Sequence, residues 1–281
     1  MGRRLGIIAG SGKFPFYFLQ EAQNLGYSCV VAGIKGEAEN DLENKADVFE
    51  WIDIDGIFKL ITFFKNQGVN EAVFAGKVDH RKIYKEGKLG KALLGLLAKG
   101  KDRSPTAIIE TAIGFLYQQG IEIIEPTKFI TSTFCDEGIL TRKKPSREEN
   151  EDISFGWDIA RKIADLDIGQ TVVVKDKAVV AVEGMEGTDE AIKRGGLIAG
   201  EGAVVVKVSR TLQDPRIDLP VVGLNTVESL VEAKAGALCF EAQYVPFFQR
   251  EKAVSLADAN RISIVAKKAE VINKKGSRLN I

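Results

Sequence analysis

Residues 203–240 read AVVVKVSRTLQDPRIDLPVVGLNTVESLVEAKAGALCF, and this stretch decides the fold. Ala203-Val204-Val205-Val206-Lys207-Val208 is a short, β-branched apolar run of the kind a buried strand makes. Pro215 and Pro220 keep the loop Gln213-Asp214-Pro215-Arg216-Ile217-Asp218-Leu219-Pro220 out of a helix, since each removes a backbone donor and holds the residue before it extended. The segment 225–234 opens with a helix-capping signature and stops at Gly236, after which Ala237-Leu238-Cys239-Phe240 starts a second apolar run. Strand, loop, helix, strand is the winding of a parallel sheet. The loop with two aspartates and an arginine is therefore expected at the carboxyl edge of that sheet, where open α/β folds bind ligands.

The same rhythm extends towards the N-terminus. Leu5 to Ala9 reads as a strand, Gly10-Ser11-Gly12-Lys13 as its loop, and Phe14 to Leu25 as a helix ended by Gly26. A strand follows at Ser28 to Ala32, then a helix at Ile57 to Asn66, and a strand at Glu71 to Ala75 that leads into Gly76-Lys77-Val78. Residues 86–101, with Lys88, Lys91, Lys99 and Lys101 among leucines, predict a basic amphipathic helix, followed by a helix at Ile108 to Gln118 and a strand at Ile121 to Glu125. Residues 131–150 turn polar and charged, which places a domain boundary there, with domains at 1–134 and 135–281. Beyond it come a helix at Ile153 to Ala164, a hairpin of Thr171–Val174 with Ala178–Val182, and the loop Glu183 to Asp189 entering a short helix. Thr188 or Asp189 is the expected N-cap of that helix. The fold class expected is α/β in two domains, an N-terminal Rossmann-like parallel sheet and a C-terminal α/β catalytic domain.

Composition narrows the function. Lys plus Arg and Asp plus Glu number 39 each, so net charge gives no footprint of a nucleic-acid binder, and the 45% hydrophobic content suffices for cores in two domains. Cys29, Cys135 and Cys239 are far apart in apolar segments and form no zinc or redox spacing, which favours core filling in a reducing compartment. The apolar run at Leu5 to Ala9 is too short for a signal peptide, and no run reaches the roughly 18 residues that span a bilayer. A soluble or peripheral cytoplasmic protein is expected.

Four places carry chemistry. Gly10-Ser11-Gly12-Lys13 after a strand suits an anion at a helix start, yet Pro15 breaks the dinucleotide fingerprint and Phe14 breaks the Walker A loop, so NAD and P-loop chemistry are demoted. Gly76-Lys77 ends another strand in the same half. Gly187-Thr188-Asp189 reads first as a cap and second as an anion site. Asp214, Arg216 and Asp218 crowd a rigid loop. His80 is the single histidine, which excludes a multi-histidine metal site; the carboxylates, with phosphate oxygens and water, suit Mg²⁺ or Mn²⁺.

Together these residues resemble the LpxI family of UDP-2,3-diacylglucosamine pyrophosphatases of lipid A biosynthesis. The resemblance runs through GIIAGSGKFP at 6–15, AGKV at 75–78, LDIGQTVVV at 166–174, AVEGMEGTDEAI at 181–192 and QDPRIDLPVVGLNTVE at 213–228. It departs where KDRSPTAIIE at 101–110 keeps only Asp102 of an acidic segment, and where Thr211-Leu212 replace a proline-glycine pair. The resemblance implies a two-domain hydrolase holding its substrate between domains and releasing UMP and 2,3-diacylglucosamine 1-phosphate (lipid X), with attack leaning to the β-phosphorus. On that reading Asp214 and Asp218 hold Mg²⁺ or Mn²⁺ or orient water, and Arg216 neutralises developing charge. Gly10, Ser11, Gly12, Lys13, Gly76, Lys77, Gly187, Thr188 and Asp189 contact the substrate. The partners implied are an acylated nucleotide-sugar, a transient contact with the inner-membrane surface and a second copy of the chain, with no nucleic acid. The alternative is a non-catalytic nucleotide-sugar sensor, in which the aspartates only coordinate a structural cation.

Overall fold

Continuous apolar runs need cover on both faces, and in this chain they assemble into two sheets, each within its own unit. The computed structural model describes residues 3–78 and 105–269; the basic helix expected at 86–101, His80 and Asp102 lie outside the described residues. The first unit comprises residues 1–131 together with 214–219, and the second residues 132–213 and 220–281. The segment Asp214–Leu219 thus groups with the first unit although both its chain neighbours group with the second, a division that a contiguous 1–134 and 135–281 split does not contain.

In the first unit, β1 (Arg4–Ala9), β2 (Ser28–Ile34), β3 (Val48–Ile52), β4 (Glu71–Ala75) and β5 (Glu122–Ile123) form one sheet in the order β3-β2-β1-β4-β5. All its neighbours run parallel. The helices are α1 (Phe14–Asn24), α2 (Ile57–Asn66) and α3 (Pro105–Gln118). Strand order reverses at β1 and β4, so the loops after those two strands, at 10–13 and 76–78, stand at the topological switch point. Ile8, Val30, Leu60, Ile61, Phe64 and Leu116 are core members on the helical side. Strand β3 escapes sequence reading because it is an edge strand, half-buried along most of its length and interrupted by Glu50, so no apolar run marks it.

In the second unit the sheet is mixed, with the order β6-β11-β10-β9-β7-β8. Its strands are β6 (Gly138–Ile139), β7 (Thr171–Lys175), β8 (Ala178–Val182), β9 (Val204–Lys207), β10 (Ala237–Glu241) and β11 (Ser263–Lys267). β9, β10 and β11 are parallel; β7 runs against both β8 and β9, so the carboxyl ends of β8 and β9 share an edge. Period-two alternation sorts the side chains into two cores. Val172, Val174, Val204 and Val206 pack with Ile153, Trp157 and Ala160 of α4 (Arg147–Asp165). Val173, Val205, Leu238 and Phe240 pack on the other face with Ile192 of α5 (Thr188–Ala199), Val227 and Leu230 of α6 (Leu224–Glu232), and Ala253 of α7 (Arg250–Ala259).

Two helix starts differ from expectation. α4 begins at Arg147 rather than near Ile153, because Ser146 and Glu149 form a capping box: Glu149 N–H donates to Ser146 Oγ, and Ser146 N–H to the Glu149 carboxylate. α6 is capped by Gly223, whose N–H donates to Thr226 Oγ1, and starts at Leu224. The three cysteines are free and buried, and no helix among the described residues is long and apolar enough to cross a membrane.

Candidate functional site

At the switch point of the first unit the two expected anion loops are laced to each other. Gly10 N–H donates to Ala75 O at 2.8 Å, Ser11 N–H to Lys77 O at 2.6 Å, and Lys77 N–H returns a bond to Ser11 O at 3.1 Å. Ser11 Oγ adds a bond to Lys77 O at 2.9 Å. Glycine is required on both sides: a Cβ at Gly10 meets Lys77 O at 2.3 Å, and Gly76, at φ +90°, meets Ser11 O at 2.6 Å. The lacing uses the amides of Gly10 and Ser11 and leaves the Gly12–Lys13 end, at the start of α1, outside the bridge. Lys13 caps α1, pairs with Glu39 at 2.6 Å and lies 5.3 Å from the Phe16 ring.

The sequence 214–218 folds as a single turn. Asp214 O accepts the N–H of Ile217 and of Asp218, at 3.1 and 3.3 Å. Asp214 Oδ1 accepts the Arg216 N–H at 3.0 Å, an Asx turn with Pro215 at the preset position. Arg216 then grips the carboxylate with two nitrogens, Nε at 3.1 Å and Nη2 at 2.7 Å. That hydrogen bonding holds the Asp214 carboxyl below the usual carboxylate range, with partial burial acting the other way. Arg216 is raised by the same bond, with smaller attraction from Glu125 and Glu110, which sequence reading did not single out.

In the second unit the third expected site is bound up in a buried network. Gly187, at φ +88°, is the N-cap of α5, so neither Thr188 nor Asp189 takes that place; only a residue without Cβ enters the helix through this conformation without strain. Asp189 sits in the first turn, an acidic residue at the positive end of the helix. Thr188, at the first helical position, donates Oγ1–H to Glu183 Oε1 at 2.8 Å and accepts from Lys207 Nζ at 2.7 Å. Lys207 also donates to Thr171 Oγ1 at 3.2 Å and pairs with Glu183 at 3.6 Å. Lys207, Glu183, Thr188 and Thr171 are all buried. The network sits where β7, β8 and β9 meet at one edge, and its signal in the sequence was a lysine inside a run of valines.

Residues 4–133 match the model of the LpxI N-terminal domain and residues 136–265 that of the LpxI C-terminal domain. The chain belongs to the LpxI family. A curated relative, UDP-2,3-diacylglucosamine pyrophosphatase LpxI of Caulobacter vibrioides, is 28% identical over 269 residues, covering 91% of this chain and 94% of that protein. Among solved structures, the biotin carboxylase domain of a thermophilic 2-oxoglutarate carboxylase overlaps 62% of this chain and 35% of its own at 13% identity, with a TM-score of 0.28. Phosphoribosylglycinamide synthetase of Anaerococcus prevotii overlaps 63% and 38% at 16% identity, with a TM-score of 0.24. Those scores do not establish a shared fold, and this LpxI-family chain spans little more than a third of either.

Among the described residues no group of three His, Cys, Asp or Glu side chains forms a metal cluster. The donors in this family member's 214–218 turn are two carboxylates, one of them gripped by Arg216. That set fits a hard cation completed by phosphate oxygens and water, and does not fit an all-protein cage or a zinc site.

The Lys207 network gives a first expected result. Lys207→Met leaves Glu183 buried without its cation and lowers stability by about 3 kcal/mol in urea unfolding, the scale of breaking a buried pair. Lys207→Met combined with Glu183→Gln loses clearly less. Equal losses in the single and double variants would show that the two charges are not coupled.

Proposed function

We propose that this chain hydrolyses the pyrophosphate of UDP-2,3-diacylglucosamine, giving UMP and 2,3-diacylglucosamine 1-phosphate in lipid A biosynthesis. The observation that carries the reading is the match of both LpxI domain models along the chain, with the aspartate-arginine turn in a loop between β9 and α6. A water oxygen forms the new bond to phosphorus, the P–O bond to the bridging oxygen breaks, and one water proton leaves with the medium. Arg216 offers charge to the phosphate oxygens, and Asp214 fixes the plane of its guanidinium. Asp218 is the carboxylate that orients the water or holds the cation. Asp218 and Asp214 would hold Mg²⁺ or Mn²⁺, which would supply neutralising charge to the phosphate oxygens. Within the first unit, the Gly12–Lys13 end of the first loop and the Lys77 side chain contribute anion contacts at the start of α1. The acylated substrate places the protein as a peripheral visitor to the cytoplasmic face of the inner membrane.

The test is UMP release from UDP-2,3-diacylglucosamine by the purified chain, with acyl-free UDP-glucosamine alongside. The diacyl substrate is expected to turn over, and the acyl-free one to bind more weakly by up to about 0.8 kcal/mol for each methylene buried. Binding without UMP release would replace the enzyme with a nucleotide-sugar sensor.

A further inference from the structure

Three of the residues between β9 and the aspartate loop, Ser209, Arg210 and Thr211, are held by more side chains than a surface connection needs. Ser209 N–H and Oγ–H both donate to Glu241 Oε2, at 2.9 and 2.7 Å. Arg161 of α4 binds Ser209 O with one terminal nitrogen and Glu241 Oε1 with the other. Ser209 and Glu241 are each 2% exposed. Arg210 N–H donates to Gln213 Oε1 at 3.0 Å, and its guanidinium pairs with Asp167. Thr211 gives two bonds to Asp165, the last residue of α4: its N–H at 2.7 Å and its Oγ–H at 2.8 Å.

Arg161, Asp165, Asp167 and Glu241 thus converge on Ser209-Arg210-Thr211, and Asp214 follows three residues later. Glu241, the last residue of β10, ties the clamp to the sheet, while β9 ends at Lys207 and Ser209–Thr211 lie beyond its ladder to β7 and β10. Reacting groups displaced by about 1 Å lose rate steeply, so slack in the chain that leads into the Asp214–Arg216 turn costs rate. We infer that Arg161, Asp165 and Glu241 are positioning residues for the reaction, acting through Ser209 and Thr211 to fix the chain that enters the aspartate turn. The inference rests on the hydrolase reading above.

Glu241 and Ser209 are buried, so the test uses the exposed end of the clamp. Thr211→Val, which keeps the N–H and deletes the hydroxyl, and Asp165→Asn are expected to lower kcat about tenfold each with KM and the thermal midpoint unchanged. Thr211→Ser restores kcat. Amide hydrogen exchange of residues 209–218 is expected to quicken in Thr211→Val and Asp165→Asn and to stay native in Thr211→Ser, a readout independent of turnover. Wild-type kcat in both deletions, or a rise in KM alone, overturns the positioning role, as does loss of thermal stability with native kcat per folded molecule. Absence of turnover in the wild type ends the hydrolase reading instead, and native exchange in both deletions then ends the clamp as well.

Discussion

Asp218→Ala is expected to lower the turnover of UDP-2,3-diacylglucosamine by more than about a hundredfold, the scale of removing a group that would hold the metal or water. The residue closes the 214–218 turn through its backbone N–H, a bond that alanine keeps. Asp214→Ala acts differently. It frees the Arg216 guanidinium, which loses its bidentate partner, so kcat falls because the cation is no longer aimed. Asp214→Asn keeps one acceptor and falls between. Steady-state rates and thermal unfolding on the same preparations decide the matter: wild-type rates in both alanine variants would remove the turn from the chemistry, and a joint fall of rate and midpoint would make it a structural element.

How much of this was legible beforehand depends on how local each signal is. Val204–Val206 and Ala237–Phe240 announced adjacent parallel strands because buried strands are continuous apolar runs, and the pairing of Phe240 with Lys207 bears that out. Pro215 and Pro220 marked 213–220 as a non-helical loop, but the reading of an extended Asp214 missed the turn in which its carbonyl accepts from Ile217 and Asp218. The capping box of Ser146 and Glu149 stood in plain view, yet it lies in a charged stretch that reads equally well as a linker. Gly187 took the cap from Thr188 because the loop enters the helix at positive φ; the glycine was the signal, and the commoner N-cap type beside it masked it. The clamp was out of reach for another reason: Arg161 is 48 residues from Ser209 and Glu241 is 32 away, and only the fold brings them together. Glu110 and Glu125 are invisible in the same way, since each is one acid among many until Arg216 is placed near it.

Those acids bear on the cation. Around the turn, Arg216 supplies a positive charge that Asp214 grips, with Glu125 and Glu110 close enough to act on Arg216 electrostatically. On the proposed function, Asp214 and Asp218 would hold a divalent cation, which would supply positive charge for the phosphate oxygens, since carboxylate oxygens with water are the donors that Mg²⁺ and Mn²⁺ prefer. Exhaustive chelation is therefore expected to abolish UMP release, and added Mg²⁺ or Mn²⁺ to restore it. Asp218→Ala should need a higher concentration of either ion for what rate remains, because one hard ligand is gone. Stoichiometric zinc is not expected in the purified protein, whose described residues gather no cluster of three ligands. Full activity after chelation, or zinc found at one per chain, would overturn the divalent-cation reading and leave Arg216 as the principal source of positive charge at the reacting phosphate.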